Sequence, residues 1–395
     1  MNQSERTRRI MQKHGLDALV ASTSENVAYT SGYLSSLHPN YATQIYTVIP
    51  RDKSLGSCLI LPTVKLGTAA QMPLRVRDIV SYGPFYIVGL QEDVQLGEVA
   101  RRVSDMIATV PAKASALEAL EEVIGAKGLT RARLGIDEMA FDPSVLATLR
   151  SDRPDLEVTY AYNVFRDIQA IKTDDETRLI RTLCDMTTKA MGEVLAMASE
   201  GAVQRELVEV FQTSVIHQGA SPGHVMIRGG RAGAVPDMAT SDYRLKGGDI
   251  LSWDVGCEHL GYHSDLAGTA VVGRPSAKQE RYYQAVLEGE RAELNAIKPG
   301  ARVADAFHAA VDTIRDKGIP HYERNHCGHG IGIETYGVPL VAPESSLSFE
   351  VGMVLNVETP YYELGFGSVT VEDTVLVTES GFEYLSTIDR ELRIL

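Results

Sequence analysis

Cysteine, basic charge and long apolar runs are all in short supply in this chain. Four cysteines, Cys58, Cys184, Cys257 and Cys327, are scattered over 395 residues with no paired zinc spacing. That excludes a disulfide framework and points to free thiols in a reducing compartment, each by default a small buried hydrophobe. No run of eighteen apolar residues exists, so no membrane span is expected. Residues Met1 to Arg9 are charged with no apolar stretch behind them, so no secretory leader is expected and the cytoplasm is the expected compartment. Lys and Arg total 38 against 52 Asp and Glu, a net charge of −14. Non-specific nucleic-acid binding needs basic patches, so that class is excluded.

Enough apolar residue is present, 44% of the chain, to bury two cores. Up to about residue 160 the pattern alternates helix and strand. Helices are expected over 4–14, 94–109, 114–127 and 143–150, and strands over 16–21, 46–50, 57–61 and 133–137. Thr173-Asp174-Asp175-Glu176 is a capping box opening a long helix, with apolar residues at Leu179, Ile180, Leu183, Met186 and Met191. Further helices are expected over 203–218, 276–296 and 303–317. The expected division is an α/β domain over residues 1–165 and an α+β domain over residues 166–395.

Chemistry concentrates in five residues of the second part: Asp254, Asp265, His329, Glu358 and Glu372. Ile250 to Val255 reads as a strand, and so does Tyr262 to Val272. A symmetric hairpin between them would face Asp254 with Asp265, their Cβ atoms roughly 4.5–5.5 Å apart. Met353 to Glu358 and Val369 to Val377 read as another hairpin, centred on Gly365, which sets Glu358 beside Glu372. Carboxylates that close repel unless a cation lies between them or one is protonated. His329 sits among glycines that permit close backbone approach, and imidazole is the commonest side-chain metal ligand. Four oxygen donors and a nitrogen suit divalent Mn, Co, Fe or Zn, and two ions about 3.5–4 Å apart are a usual hydrolytic arrangement.

The strings Asp254-Val255-Gly256 with Ser264-Asp265, Gly328-His329-Gly330-Ile331-Gly332, Val357-Glu358 and Val371-Glu372-Asp373-Thr374 resemble the pita-bread metallohydrolases. That family includes Xaa-Pro aminopeptidases, prolidases, methionine aminopeptidases and creatinases. Gly15 to Val20 with Ser24 to Tyr29 resembles the smaller N-terminal domain of its prolidase and creatinase branch. The resemblance implies a creatinase/prolidase-like N-terminal domain, a pita-bread catalytic domain with an internal pseudo-two-fold, and two divalent metal ions held by the five residues. It implies hydrolysis of a C–N bond by a metal-bridging hydroxide, with Glu358 also relaying protons. A homodimer is expected, with the small domain of one chain reaching the other's site. Tyr41, Tyr46 and Arg51 are candidates for that reach.

The chain departs from the peptidase pattern in three places. Asp237, after Pro236, stands where the peptidases carry a histidine seventeen residues before the first aspartate. Tyr336 replaces a second histidine, and Thr370 an arginine. Asp237 would suit a cationic group of the substrate or be a solvated loop acid, and Tyr336 would donate to an oxyanion or pack the wall. His224, His263 and His326 are candidates for substrate contact, each against a structural role. Arg228 and Arg231, flanking two glycines, read as a loop for a substrate carboxylate or as a solvated basic loop. The expected substrate is a small molecule or short peptide. Three functions stay open: an Xaa-Pro peptidase, a hydrolase of a small non-peptide C–N bond of the creatinase or ectoine hydrolase kind, and a non-catalytic binding relative.

Overall fold

A computed structural model of the chain describes residues 3–35, 44–86, 95–236 and 239–395. Two compact units divide it, Met1–Ile168 and Gln169–Leu395. Among the described residues no helix is long and apolar enough to cross a membrane.

The first unit is built on one seven-stranded sheet. Its strands are β1 (Ala18–Ala21), β2 (Tyr46–Pro50), β3 (Cys58–Pro62), β4 (Asp78–Tyr82), β5 (Ala112–Lys113), β6 (Arg133–Ile136) and β7 (Glu157–Tyr160), in the order β5-β4-β3-β2-β1-β6-β7. Only β2 runs antiparallel to its neighbours β1 and β3. Helices α1 (Gln3–Lys13), α2 (Ser24–Ser31), α3 (Leu66–Ala69), α4 (Glu98–Thr109), α5 (Ala116–Ala126), α6 (Pro143–Asp152) and α7 (Tyr162–Ala170) accompany it. Every residue of β1 is buried, as a central strand covered on both faces requires. Tyr46 is fully buried and stacked on Phe141, so it cannot reach another chain. Arg51 is ion-paired with Asp17 at 2.8 Å, and Tyr41 lies outside the described residues.

The second unit repeats one plan twice, a helix pair followed by a five-stranded sheet. Helices α8 (Asp174–Met197) and α9 (Gln204–His217) precede β8 (Ser221–Gly229), β9 (Ile250–His259), β10 (Tyr262–His263) and β11 (Leu266–Val271). Helices α10 (Ala277–Ala296) and α11 (Val303–Lys317) precede β12 (Gly328–Gly330), β13 (Gly337–Leu340), β14 (Val354–Glu358), β15 (Tyr361–Glu363), β16 (Gly367–Val369), β17 (Glu372–Thr378) and β18 (Gly381–Tyr384). A last strand, β19 (Arg393–Ile394), returns to β11 in the first sheet. The second sheet runs β13-β12-β14-β17-β18, and β15 and β16 form a separate ribbon. Thr173 and Glu176 make the expected capping box. Behind it Ile180, Leu183, Thr187, Met191 and Val194 line one buried face of α8.

The two acid-bearing hairpins do not share a register. Glu358 pairs directly with Glu372 across β14 and β17, as the symmetry about Gly365 predicts. Asp254 instead pairs with Ala267, two residues beyond Asp265. The turn is Leu260-Gly261, with φ of +54° and +80°, flanked by the pair His259–Tyr262. Two consecutive positive φ values make the tight hairpin turn that matches strand twist. The turn centre thus falls one residue later than a symmetric hairpin facing Asp254 with Asp265 requires, with Leu260 at a φ that leucine rarely adopts. The expected second strand is also broken, into β10 and β11.

Candidate active site

The offset register makes Asp265 a diagonal neighbour of Asp254 rather than its facing partner. Diagonal positions on one face of a sheet remain within reach of side chains. What joins them is His224 from β8, the strand on the other side of β9. Its Nε2 lies 3.0 Å from Asp254 Oδ1, a hydrogen bond, and 2.8 Å from Asp265 Oδ1, off the hydrogen-bond axis. Gly256 makes the crossing possible. A Cβ there would stand 2.0 Å from the Ser264 carbonyl oxygen and 2.9 Å from His224 Cε1. Burial alone would lower the His224 pKa, but the two aspartates outweigh it and push it up to about 10. Burial likewise opposes ionisation of Asp254, yet His224 and then Arg228 hold its pKa below the usual carboxylate value.

The second sheet supplies the other side. His329 is buried on β12 between β13 and β14. Gly328 has a φ of +153°, and a Cβ there would meet the Asn356 carbonyl oxygen at 2.2 Å. His329 Nδ1 lies 3.1 Å from the Gly330 carbonyl oxygen, which favours a proton on Nδ1 and leaves Nε2 as a donor to a cation. That Nε2 is 3.8 Å from Asp265 Oδ2. Donor atoms of Asp265, His329 and Glu372 all lie within 4.8 Å of one another, as do those of His224, Asp254 and Asp265. Asp265 therefore belongs to both groups. Burial, then Asp265, Glu358 and Asp254, push the Glu372 carboxyl well above its ordinary pKa. Such crowding, with Asp265 Oδ1 and Glu358 Oε1 buried and without hydrogen-bond partners, fits a donor set for hard or borderline divalent cations.

Family models match residues 178–379 as metallopeptidase family M24 and residues 3–171 as the creatinase/prolidase N-terminal domain. The chain belongs to metallopeptidase family M24. It is thus a member of a family of metal-dependent hydrolases, with a creatinase-type N-terminal domain and a pita-bread catalytic domain. The Xaa-Pro dipeptidase of Pyrococcus furiosus is 32% identical over 232 residues, covering 58% of this chain and 67% of that protein. The Xaa-Pro dipeptidase of Pyrococcus horikoshii is 31% identical, covering 58% and 66%. The matched segment spans about two thirds of these relatives. In fold, the prolidase from P. horikoshii superposes with a TM-score of 0.77 at 24% identity, over 99% of both chains. The Xaa-Pro dipeptidase from Bacillus anthracis gives 0.79 at 22% identity, over 100% of this chain and 99% of that one.

Other residues of this M24 member fall less uniformly around the centre. Glu358 joins neither group of converging donors. Its Oε2 is 3.2 Å from Arg324 Nη2 and its Oε1 3.2 Å from His326 Nδ1. Tyr336 stacks on the His329 ring at 3.8 Å and stays about half exposed. Burial and then Glu358, Glu372, Asp265 and Asp254 raise its pKa, so the phenol stays protonated. His263 contributes to neither donor group; its backbone N–H donates to Gly332. Arg228 and Arg231 do not form one loop: Arg228 is on β8 and buried, whereas Arg231 is exposed beyond it. Asp237 lies outside the described residues. Thr370 is buried, its N–H donating to Thr269 Oγ1.

Three residues near the centre escape the sequence reading. Arg324 has no motif around it. Asn356 donates to Glu372 Oε1 at 3.0 Å and to the Asp265 carbonyl at 3.2 Å, tying the two sheets. An amide two residues before Glu358 in an otherwise apolar strand is a signal that could have found it. Tyr362 sits with its ring beside Arg228.

Proposed function

We propose that the chain is a two-metal hydrolase that cleaves Xaa-Pro dipeptides, active in the cytoplasm as a homodimer, with Mn²⁺, Co²⁺, Zn²⁺ or Fe²⁺ as its ions. The observation that carries this is the convergence of Asp254 and Asp265 from one sheet with His329 and Glu372 from the other, through the shared Asp265. One ion would be held by Asp254 and Asp265, the other by Asp265, His329 and Glu372, with Glu358 turning in from Arg324. When bound, such ions supply acidification of water and polarisation of the scissile carbonyl.

The protein's own groups divide the remaining work. Glu358, once turned from Arg324 and with its other oxygen without a hydrogen bond, would take a proton from water and pass it to the departing amine. Tyr336, neutral and beside His329, donates to the oxygen that gains charge. His224 orients the two aspartates, and His326 lies 3.2 Å from the second oxygen of Glu358. Asp237 takes the substrate's amino group, so Asp237→Asn raises KM with little change in kcat. Arg231 and His263 are peripheral contacts.

The deciding assay presents metal-loaded forms of the full chain with Xaa-Pro dipeptides, longer Xaa-Pro peptides, and small cyclic or guanidino amides. Metal-dependent cleavage of the dipeptides is the expected result. Turnover of the small amides alone would favour the non-peptide reading, which the tyrosine at position 336 supports. No turnover of any substrate with metal bound would favour the binding relative. Size-exclusion chromatography with light scattering checks the dimer.

A further inference from the structure

Arg228 is one of the largest fully buried side chains among the described residues, 1% exposed, and none of its three guanidinium nitrogens meets a hydrogen-bond acceptor. Guanidinium is always charged in proteins, and a buried charge is ordinarily paired. The strand pairing fixes where it lies. Arg228 pairs with Ser252 on β9, two residues from Asp254 and therefore on the same face. Ser252 Oγ is hydrogen-bonded to Ser368 Oγ at 2.6 Å, and Ser368 also reaches the Gly233 carbonyl. Ser368 in turn pairs with Tyr362 across the β15–β16 ribbon. The ring closes when Tyr362 places its aromatic face 5.8 Å from Arg228 Cζ. The nearby hydroxyls are thus engaged with each other, and the guanidinium is left with a π-face and the field of Asp254.

We propose that Arg228, with Tyr362 over it, is the receptor for an anionic group of the substrate, a carboxylate, on the Asp254 side of the centre. The inference rests on the reading that hydrolysis occurs at this centre. There the four carboxylates are matched by two divalent ions, so Arg228 loses the compensation Asp254 gives it and gains need of an anion. A planar fork with five N–H donors accepts a carboxylate through two parallel hydrogen bonds. Tyr362, the ring over it, is itself only partly buried. For an Xaa-Pro dipeptide the group is the C-terminal carboxylate, which makes Arg228 the residue that prefers dipeptides to longer chains.

The test compares L-proline with L-prolinamide as ligands of the metal-loaded full chain by calorimetry, in the wild type, Arg228→Met and Arg228→Lys. The wild type is expected to prefer the acid by about tenfold or more, the worth of a charge-assisted pair. Arg228→Met is expected to lose that preference with metal content unchanged, and Arg228→Lys to keep part of it. The ligand-free Arg228→Met protein should melt no lower than the wild type, because an unmatched buried charge has been replaced by an apolar chain. A purely structural arginine would give a lower melting temperature and an intact acid preference, which overturns the proposal. Equal wild-type affinity for acid and amide overturns it without any variant. Cleavage of Ala-Pro and its amide separates the two readings. Equal cleavage of both removes the role of Arg228 and keeps the peptidase; no cleavage of either, with Arg228-dependent proline binding, does the reverse.

Discussion

The two hairpins that bring acids to the centre differ in how they tolerate their own charge. In the β9–β11 hairpin the carboxylates are diagonal, and His224 lies between them within 3.0 Å of each. In the β14–β17 hairpin Glu358 and Glu372 are directly opposed. There Arg324 draws Glu358 to one side and the amide of Asn356 holds Glu372 on the other. Like charges directly opposite destabilise a sheet, so in the second hairpin the protein offsets the opposition by drawing the two carboxylates to different partners. One half thus shares a single histidine between its carboxylates, and the other assigns each carboxylate a partner of its own.

Removing a donor of the centre should cost the most, Asp265, which belongs to both groups, above all. Asp265→Asn and Glu372→Gln are expected to bring metal-dependent hydrolysis below detection and to lower bound metal, read by elemental analysis of dialysed protein. Asn356→Ala leaves every donor present but unties the two sheets. Loss of such support costs about 10–100-fold in metal affinity or activity, measured by calorimetric metal titration.

Stability measurements separate the halves directly. In metal-free protein, His224→Gln is expected to lower the unfolding free energy by about 1–3 kcal/mol, since the aspartates lose their charged donor. Glu372→Gln in the same state is expected to raise it, because one of several crowded carboxylates is gone. Equal effects from the two substitutions would remove the distinction drawn between the hairpins. Smaller effects belong to the glycines. Gly256→Ala and Gly328→Ala push a Cβ to 2.0 and 2.2 Å from carbonyl oxygens and should cost about 1–3 kcal/mol by overpacking. Gly365→Ala meets no atom within 4 Å and has only a φ of +85° against it, so denaturant melts should register about 1 kcal/mol.

Much of this organisation is legible in the amino-acid sequence. The Glu358–Glu372 register followed from two strand-like runs with Gly365 at their midpoint. The Asp254–Asp265 register did not, because the turn centres on Leu260-Gly261, and a turn centre one residue later moves the partner of Asp254 by two, to Ala267. The position of His224 depends on β8 pairing with β9 across thirty residues of sequence, a long-range pairing that local pattern does not encode. The engagement of Glu358 by Arg324 belongs to the same class. Arg228 was visible as a charge near the site, but its burial and lack of partners arise only once β8 and the β15–β16 ribbon enclose it.

The most direct test of the account is anomalous diffraction at the metal edge from crystals of the manganese- or cobalt-loaded chain. The account predicts two peaks per chain sharing Asp265, one bounded by Asp254 and the other by His329 and Glu372, with Glu358 turned away from Arg324. A single peak, or ions lying away from these carboxylates, would contradict it.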